Sequence, residues 1–191
     1  MILGLVSDTH GFYDPRLEEA LRGAELIVHA GDVGGEDVLP QLERMAPVRA
    51  VRGNVDPPEA GWPLTLTLRL GGVTAHALHI LPAAQSDLQR WADTERTSGK
   101  IPKPAERLLG AIDPAADVVV FGHSHEPCLI VLGGLLWVNP GSAGRKRFSL
   151  PRTCARLSVA EGAVAAEIVA LEAYARPLPR RVEWRRREHI A

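Results

Sequence analysis

Residues 117–125 read Asp117-Val118-Val119-Val120-Phe121-Gly122-His123-Ser124-His125. The apolar run reads as a strand that ends at Gly122 and presents two imidazoles. Side chains at i and i+2 of extended backbone point the same way, so His123 and His125 are expected to face one site. Gly122 lets the chain turn tightly or approach a ligand closely, and neutral imidazole is the commonest metal-binding side chain. A His-x-His pair after a strand also fits surface or core histidines, so the reading turns on whether other strand ends supply partners.

They do. At the N-terminus, Ile2–Val6 reads as a buried strand followed by Ser7-Asp8-Thr9-His10, which again places a carboxylate and an imidazole two residues apart. Asp14-Pro15 is expected to open a helix and Gly23 to close it. Glu25–Ala30 reads as a second strand ending in Gly31-Asp32, and Glu36–Met45 as a helix with Pro40 in its first turn. A third strand, Val48–Val51, ends in Arg52-Gly53-Asn54-Val55-Asp56. Strand, loop and helix in repetition imply βαβ units and a parallel sheet, in which ligands bind beyond the carboxyl ends of the strands. Asp8, His10, Asp32 and Asn54 all fall there.

Leu64–Leu70 alternates apolar and polar residues, the pattern of a half-buried antiparallel strand. Gly71-Gly72 is a hairpin turn, and Val73–His79 pairs back, ending on His79. His79 is preferred to His76 as a site residue because it stands at the strand end. Two helices, about Gln85–Arg96 and Pro104–Ile112, then either cover the site mouth or pack on the outside. Cys128–Leu132 and Leu135–Val138 flank a Gly133-Gly134 hairpin. The sharp turn Asn139-Pro140-Gly141-Ser142 and the basic Arg145-Lys146-Arg147 follow. Thr153–Ala160 and Ala163–Leu171 form a last hairpin. Residues 1–173 are read as one domain and 174–191 as a basic tail, with six arginines against two glutamates from Tyr174 onward. The tail is expected to be extended or loosely docked, solvated or used in a subunit contact.

Bulk properties narrow the classes. The 191 residues suffice for one domain with a sizeable core, and 46% hydrophobic with 24% charged residues is ordinary for a globular chain. A formal net charge of -1 gives no global case for nucleic-acid or membrane binding, and a nuclease would need a large basic groove. No window reaches the roughly 18 apolar residues of a membrane span. The short N-terminal apolar run lacks the basic start of a signal peptide, so a cytoplasmic protein is expected. Cys128 and Cys154 stand in strand-like runs outside any CxxC pattern and read as packed core thiols. His29 reads as a hydrogen-bonded core or supporting residue, His76 as structural and His189 as a tail residue. Asp56 either orients a ligand or stabilises its turn.

Asp8, His10, Asp32, Asn54, His79, His123 and His125 together exceed what one tetrahedral zinc takes. The set suits two divalent ions sharing a carboxylate, a clamp for in-line displacement at phosphorus by a metal-activated water or hydroxide. The ordered motifs Asp8-Thr9-His10, Gly31-Asp32, Gly53-Asn54, His79 and Gly122-His123-Ser124-His125 resemble the calcineurin-like metallophosphoesterase superfamily. Asn139-Pro140-Gly141-Ser142 and the short chain look like its small YfcE-like phosphodiesterase branch, which also resembles the retromer subunit of the same fold. The resemblance spans about residues 1–170 and implies an α/β fold, a four-layer αββα sandwich. It implies one metal on Asp8, His10, Asp32 and His125 and another on Asp32, Asn54, His79 and His123, with Asp32 bridging.

Two departures from the pattern matter. Val55 stands where many members carry a histidine thought to protonate the leaving group. His79-Ile80-Leu81 stands where relatives read His-Gly-His. The reading is therefore a hydrolase with modest turnover, a manganese-favouring phosphodiesterase for which zinc, iron, nickel or cobalt would also serve. Its substrate is a small phosphate ester, with Asn54 and Arg145 as candidate substrate contacts. Lys146 is weighed for the same role, and an apolar hairpin edge points to a homodimer. The competing class is a non-catalytic interaction scaffold on the same fold.

Overall fold

The computed structural model describes residues 1–147, 149–175, 177–179 and 181–186. Two mixed sheets stack face to face with helices on both outer faces, giving an α/β four-layer αββα sandwich. The first sheet runs in the order β11-β10-β9-β1-β2-β3 and the second β4-β5-β6-β8-β7. In the first, β1 (Ile2–Val6), β2 (Leu26–His29) and β3 (Val48–Ala50) are parallel. The antiparallel strands β9 (Thr153–Ala160) and β10 (Ala163–Ala170) extend that sheet from β1. In the second, β5 (Val73–Leu78), β6 (Val118–Val120) and β8 (Leu135–Asn139) are parallel, with β4 (Thr65–Leu70) and β7 (Cys128–Leu132) as antiparallel edges.

Three apolar clusters correspond to the three gaps between four layers. Leu3, Leu5, Val28, Val118, Val120, Leu136 and Leu157 fill the space between the sheets. Leu88, Trp91, Ala105 and Leu108 bury α3 (Gln85–Ser98) and α4 (Lys103–Gly110) against Phe121 and Trp137 of the second sheet. Leu17, Leu21, Val38 and Leu42 do the same for α1 (Leu17–Ala20) and α2 (Val38–Glu43) on the first sheet. Each fully buried Leu or Val in these layers contributes about 1.5–3 kcal/mol relative to an exposed one. Residues 83–112 thus pack on the outside of the second sheet, and only the start of α3 reaches toward the loop after β6.

Three local readings are altered. The helix expected from Asp14 to Gly23 keeps one α-helical turn, and Asp14 opens it, its Oδ1 accepting the Arg16 N–H at 3.0 Å and its carbonyl the Leu17 N–H. The buried Asp14 carboxylate also takes the Arg16 and Arg152 guanidinium groups, each at 2.9 Å. The helix expected over 36–45 keeps only Val38–Glu43, with Pro40 in its first turn. Within the segment read as a basic tail, β11 (Val182–Arg185) pairs antiparallel with β10 as the outer strand of the first sheet. Val182 and Trp184 point into the inter-sheet core while Glu183 between them and Arg185 after them face out. The arginines hid that alternation. His189 lies outside the described residues.

Cys128 and Cys154 are free, buried thiols, and burial pushes both up to about 12. Among the described residues, no helix is long and apolar enough to cross a membrane.

Candidate metal centre

All seven residues singled out at strand ends converge at one end of the sandwich. Asp8 and His10 follow β1, Asp32 follows β2, Asn54 follows β3, His79 follows β5, and His123 and His125 follow β6. These strands run parallel within each sheet. Both sheets therefore deliver their carboxyl ends to the same place. His76 points elsewhere: its Nδ1 is 3.0 Å from Thr67 Oγ1, which donates in turn to Asp113.

The convergence does not come from strand alternation. Asp8, His10, Asp32, His123 and His125 all have positive φ, between 47° and 71°. Apart from glycine, only Glu161, in a hairpin turn, shares that conformation among the described residues. A left-handed residue with a Cβ costs on the order of 1–3 kcal/mol and persists where surrounding contacts over-determine it. Here the loops lock together, with Asp8 N donating to Gly31 O, His10 N to Asp32 O and Gly11 N to Val33 O. Two glycines permit the close approach. A Cβ on Gly53 would overlap the backbone nitrogen and Oδ1 of Asp32, and one on Gly122 would overlap Ser7 Oγ and press on Asp8 Oδ2.

The side chains form two groups, Asp8 with His10 and His125, and Asp32 with His79 and His123, each compact enough for one cation. In the first, His125 Nε2 lies 3.3 Å from Asp8 Oδ1 and 3.2 Å from His10 Nε2. In the second, His79 Nε2 lies 3.2 Å from both Asp32 Oδ1 and Asn54 Oδ1, and His123 Nδ1 lies 2.9 Å from Asn54 Oδ1. Asp32 stands between the groups, its Oδ2 3.8 Å from His10 Nε2. Asp8 is held by Ser7 Oγ at 2.6 Å and by the His123 backbone N–H.

The donor chemistry fits cations. His79 Nδ1 sits 2.8 Å from the Ala30 carbonyl and must donate there, which leaves the Nε2 lone pair facing two oxygens. Such a gathering of acceptors needs a metal or a proton. Asp8 and Asp32 are buried, and among the described residues no Lys or Arg pairs with either. Burial works against the Asp32 carboxylate, but the hydrogen bonds from His79 and the Val55 N–H bring its pKa down to about 2. Burial likewise disfavours a charged His79. The bonds to Asp32 and the Ala30 carbonyl outweigh it and raise the His79 pKa. His10 is lowered by burial and by the nearby Arg147 charge, which keeps its ring neutral and ready to ligate.

Supporting residues complete the site. Asp56 accepts the N–H groups of Val33, Gly34 and Gly53 at 2.8–3.2 Å, so it ties the β2 loop to the β3 loop. His29 is fully buried, and burial pushes its pKa down to about 4. Its Nε2 lies 2.9 Å from Thr9 Oγ1, which donates to Val33 O. Arg145 stacks over Phe12 at 4.9 Å and Lys146 pairs with Glu172 at 3.5 Å, so neither side chain is committed to the cluster. Sequence reasoning missed Gln85 and Asn139. The Gln85 Oε1 accepts from Ser124 Oγ and Asn139 Nδ2, and Asn139 Nδ2 also reaches the Gly122 carbonyl. Together they hold the loop that carries both histidines. The only signal for either was the Asn139 turn, which says nothing of its target.

A family model for the calcineurin-like phosphoesterase superfamily domain matches residues 1–162. A probable metallophosphoesterase of Methanothermobacter thermautotrophicus is 30% identical over 157 residues, which is 79% of this chain and 82% of that one. Vps29 of Chaetomium thermophilum superposes with a TM-score of 0.73 at 13% identity over the whole of both chains. An archaeal phosphodiesterase superposes with a TM-score of 0.63 at 19% identity, covering 89% of this chain and 99% of that one. At such identities the two structures speak for the fold alone.

Proposed function

The chain belongs to the calcineurin-like phosphoesterase superfamily, and on that footing we propose that it is a phosphodiesterase working with two divalent cations. The observation that carries this reading is the pair of acceptor groups meeting at Asp32, with the two carboxylate oxygens turned toward opposite histidines. Asp8, His10, Asp32 and His125 would hold one ion, and Asp32, Asn54, His79 and His123 the other. Cations in that arrangement supply Lewis acidity at the phosphoryl oxygens and lower the pKa of a water. Manganese is the ion we favour, although the oxygen and nitrogen ligands do not themselves select one.

The chain's own residues do the rest. Asn54 is exposed at the mouth of the cluster, and with its Oδ1 beside His79 and His123 it has an amide N–H to offer an incoming phosphoryl oxygen. Arg145 and Arg147, on the loop after β8, supply positive charge near an anionic ester. Val55, adjoining Asn54, has no proton to give a departing alkoxide. General acids typically contribute ~10²–10⁴-fold, so diesters with acidic leaving groups are the favoured substrates. Small phosphate esters are the substrates this reading assigns to it.

The test is a panel of phosphomonoesters and phosphodiesters assayed with metal-stripped protein, restoring one ion at a time. Hydrolysis should return with manganese and favour diesters. A protein that binds two ions yet turns over no ester would favour the second reading, an interaction scaffold. Exposed Leu64 and Ile80 beside the cluster are the observation that supports that alternative.

A further inference from the structure

A cavity of about 550 Å³ opens directly beside the Asn54–His79 side of the cluster, lined by Arg52, Pro58, Leu64, Thr65, Leu78 and Ile80. Its wall is unusual for a surface. Among the described residues five large apolar side chains are exposed, and three of them, Val55 (47%), Leu64 (61%) and Ile80 (48%), belong to the segments around this opening. Single exposed apolar residues need no explanation, but a group rimmed by polar residues marks a binding surface.

The backbone around the cavity is fixed. The Arg52 N–H donates to Pro63 O at 2.8 Å, which joins the segment carrying Asn54 to the start of β4. Asp56 pins Gly53 from below. Ile80 follows His79 immediately, and the His79 carbonyl takes the Gly122 N–H. The apolar wall and the candidate ligands Asn54 and His79 are therefore parts of one rigid opening. An ester group filling the cavity would lie next to a phosphoryl group held at Asn54 and His79.

We propose that this cavity is the subsite for an apolar, aryl-type ester group of a phosphodiester, held between Leu64, Pro58 and Ile80. The proposal rests on the phosphodiesterase reading and names its substrate class. Two features select the occupant. The wall offers apolar contact with one cation, Arg52, whose guanidinium can lie against an aromatic face. In hydrolysis, water oxygen bonds to phosphorus while the bond from phosphorus to the ester oxygen breaks, and the electron pair leaves on that oxygen. Val55 cannot protonate it. The group departs as its anion, for which an aryloxide, the weaker base, is far better suited than an alkoxide, and the proton released by the attacking water passes to solvent.

The test measures binding of phenylphosphonate and methylphosphonate to the manganese-loaded protein by calorimetry, with hydrolysis of bis(4-nitrophenyl) phosphate alongside. Wild type should hold the phenyl compound at least about tenfold more tightly, the scale of apolar discrimination in such pockets. Leu64→Asp and Ile80→Asp should each erase most of that preference and raise KM for the aryl diester. Equal affinities in wild type, or a preference untouched by both substitutions, would overturn the subsite. Absence of hydrolysis with the phenyl preference intact would instead count against the phosphodiesterase reading, leaving the apolar site in place.

Discussion

The two halves of the cluster are built differently. In the half formed by Asp32, Asn54, His79 and His123, three of the four residues are braced from outside. Ala30 O fixes the His79 ring, Val55 N–H binds Asp32, and Asp56 anchors the loop bearing Asn54. In the half formed by Asp8, His10 and His125, the carboxylate is well held but the imidazoles are not. Among the described residues His125 Nδ1 is buried without a partner, and the contacts of the His10 ring are those its Nε2 makes inside the cluster, to His125 and the edge of Asp32. Outer partners of metal-binding histidines are worth roughly 10–100-fold in affinity. The Asp32 half is organised before any cation arrives; the Asp8 half waits for one.

The largest effect should come from Asp32→Asn, since Asp32 belongs to both halves. We expect loss of both ions and an activity drop beyond the roughly 100-fold cost of losing one outer partner. Metal content measured by elemental analysis would decide it, and two ions retained in this variant would undo the bridging assignment. Next in size is the asymmetry itself. Calorimetric titration of manganese should resolve two classes of site separated by about tenfold or more. His79→Ala should abolish the tighter class while His76→Ala spares both. A single class of equal sites would end the comparison.

Val55→His is expected to produce a gain of about tenfold on diesters with poor leaving groups, well short of an evolved general acid. Rates on nitrophenyl esters should hardly change. A flat response across leaving groups would mean that protonation does not limit turnover. The smallest effect on activity concerns His29, which supports Thr9 between Asp8 and His10 and so links the halves. Its folded pKa, about 4, lies below the ordinary histidine value of 6.5. Between those values the unfolded chain binds the extra proton, so stability is full above pH 6.5 and falls as pH drops toward 4. The loss amounts to ~3 kcal/mol, and melting curves of wild type and His29→Gln across that window should diverge in slope.

Much of the sandwich was legible because strand periodicity and glycine turns are local signals. The Gly71-Gly72 and Gly133-Gly134 hairpins fall where the glycines place them. The second role of Asp14 was illegible because its partner, Arg152, is 138 positions away and no helix signal reveals that pairing. The last strand was obscured because arginines swamp the two apolar residues, Val182 and Trp184, that enter the core.

By itself the sequence determined that a carboxylate, an amide or an imidazole ends each of five strands, because short-range order puts those residues just past apolar runs. It did not contain the reason they meet. Spacing of two suggested strand alternation, whereas left-handed backbone at Asp8, His10, Asp32, His123 and His125 turns the side chains inward. It also could not divide His123 from His125 between the two groups on geometric grounds. Those outcomes depend on loops from two stacked sheets bracing one another, an energy that exists only when residues far apart in the chain are packed together.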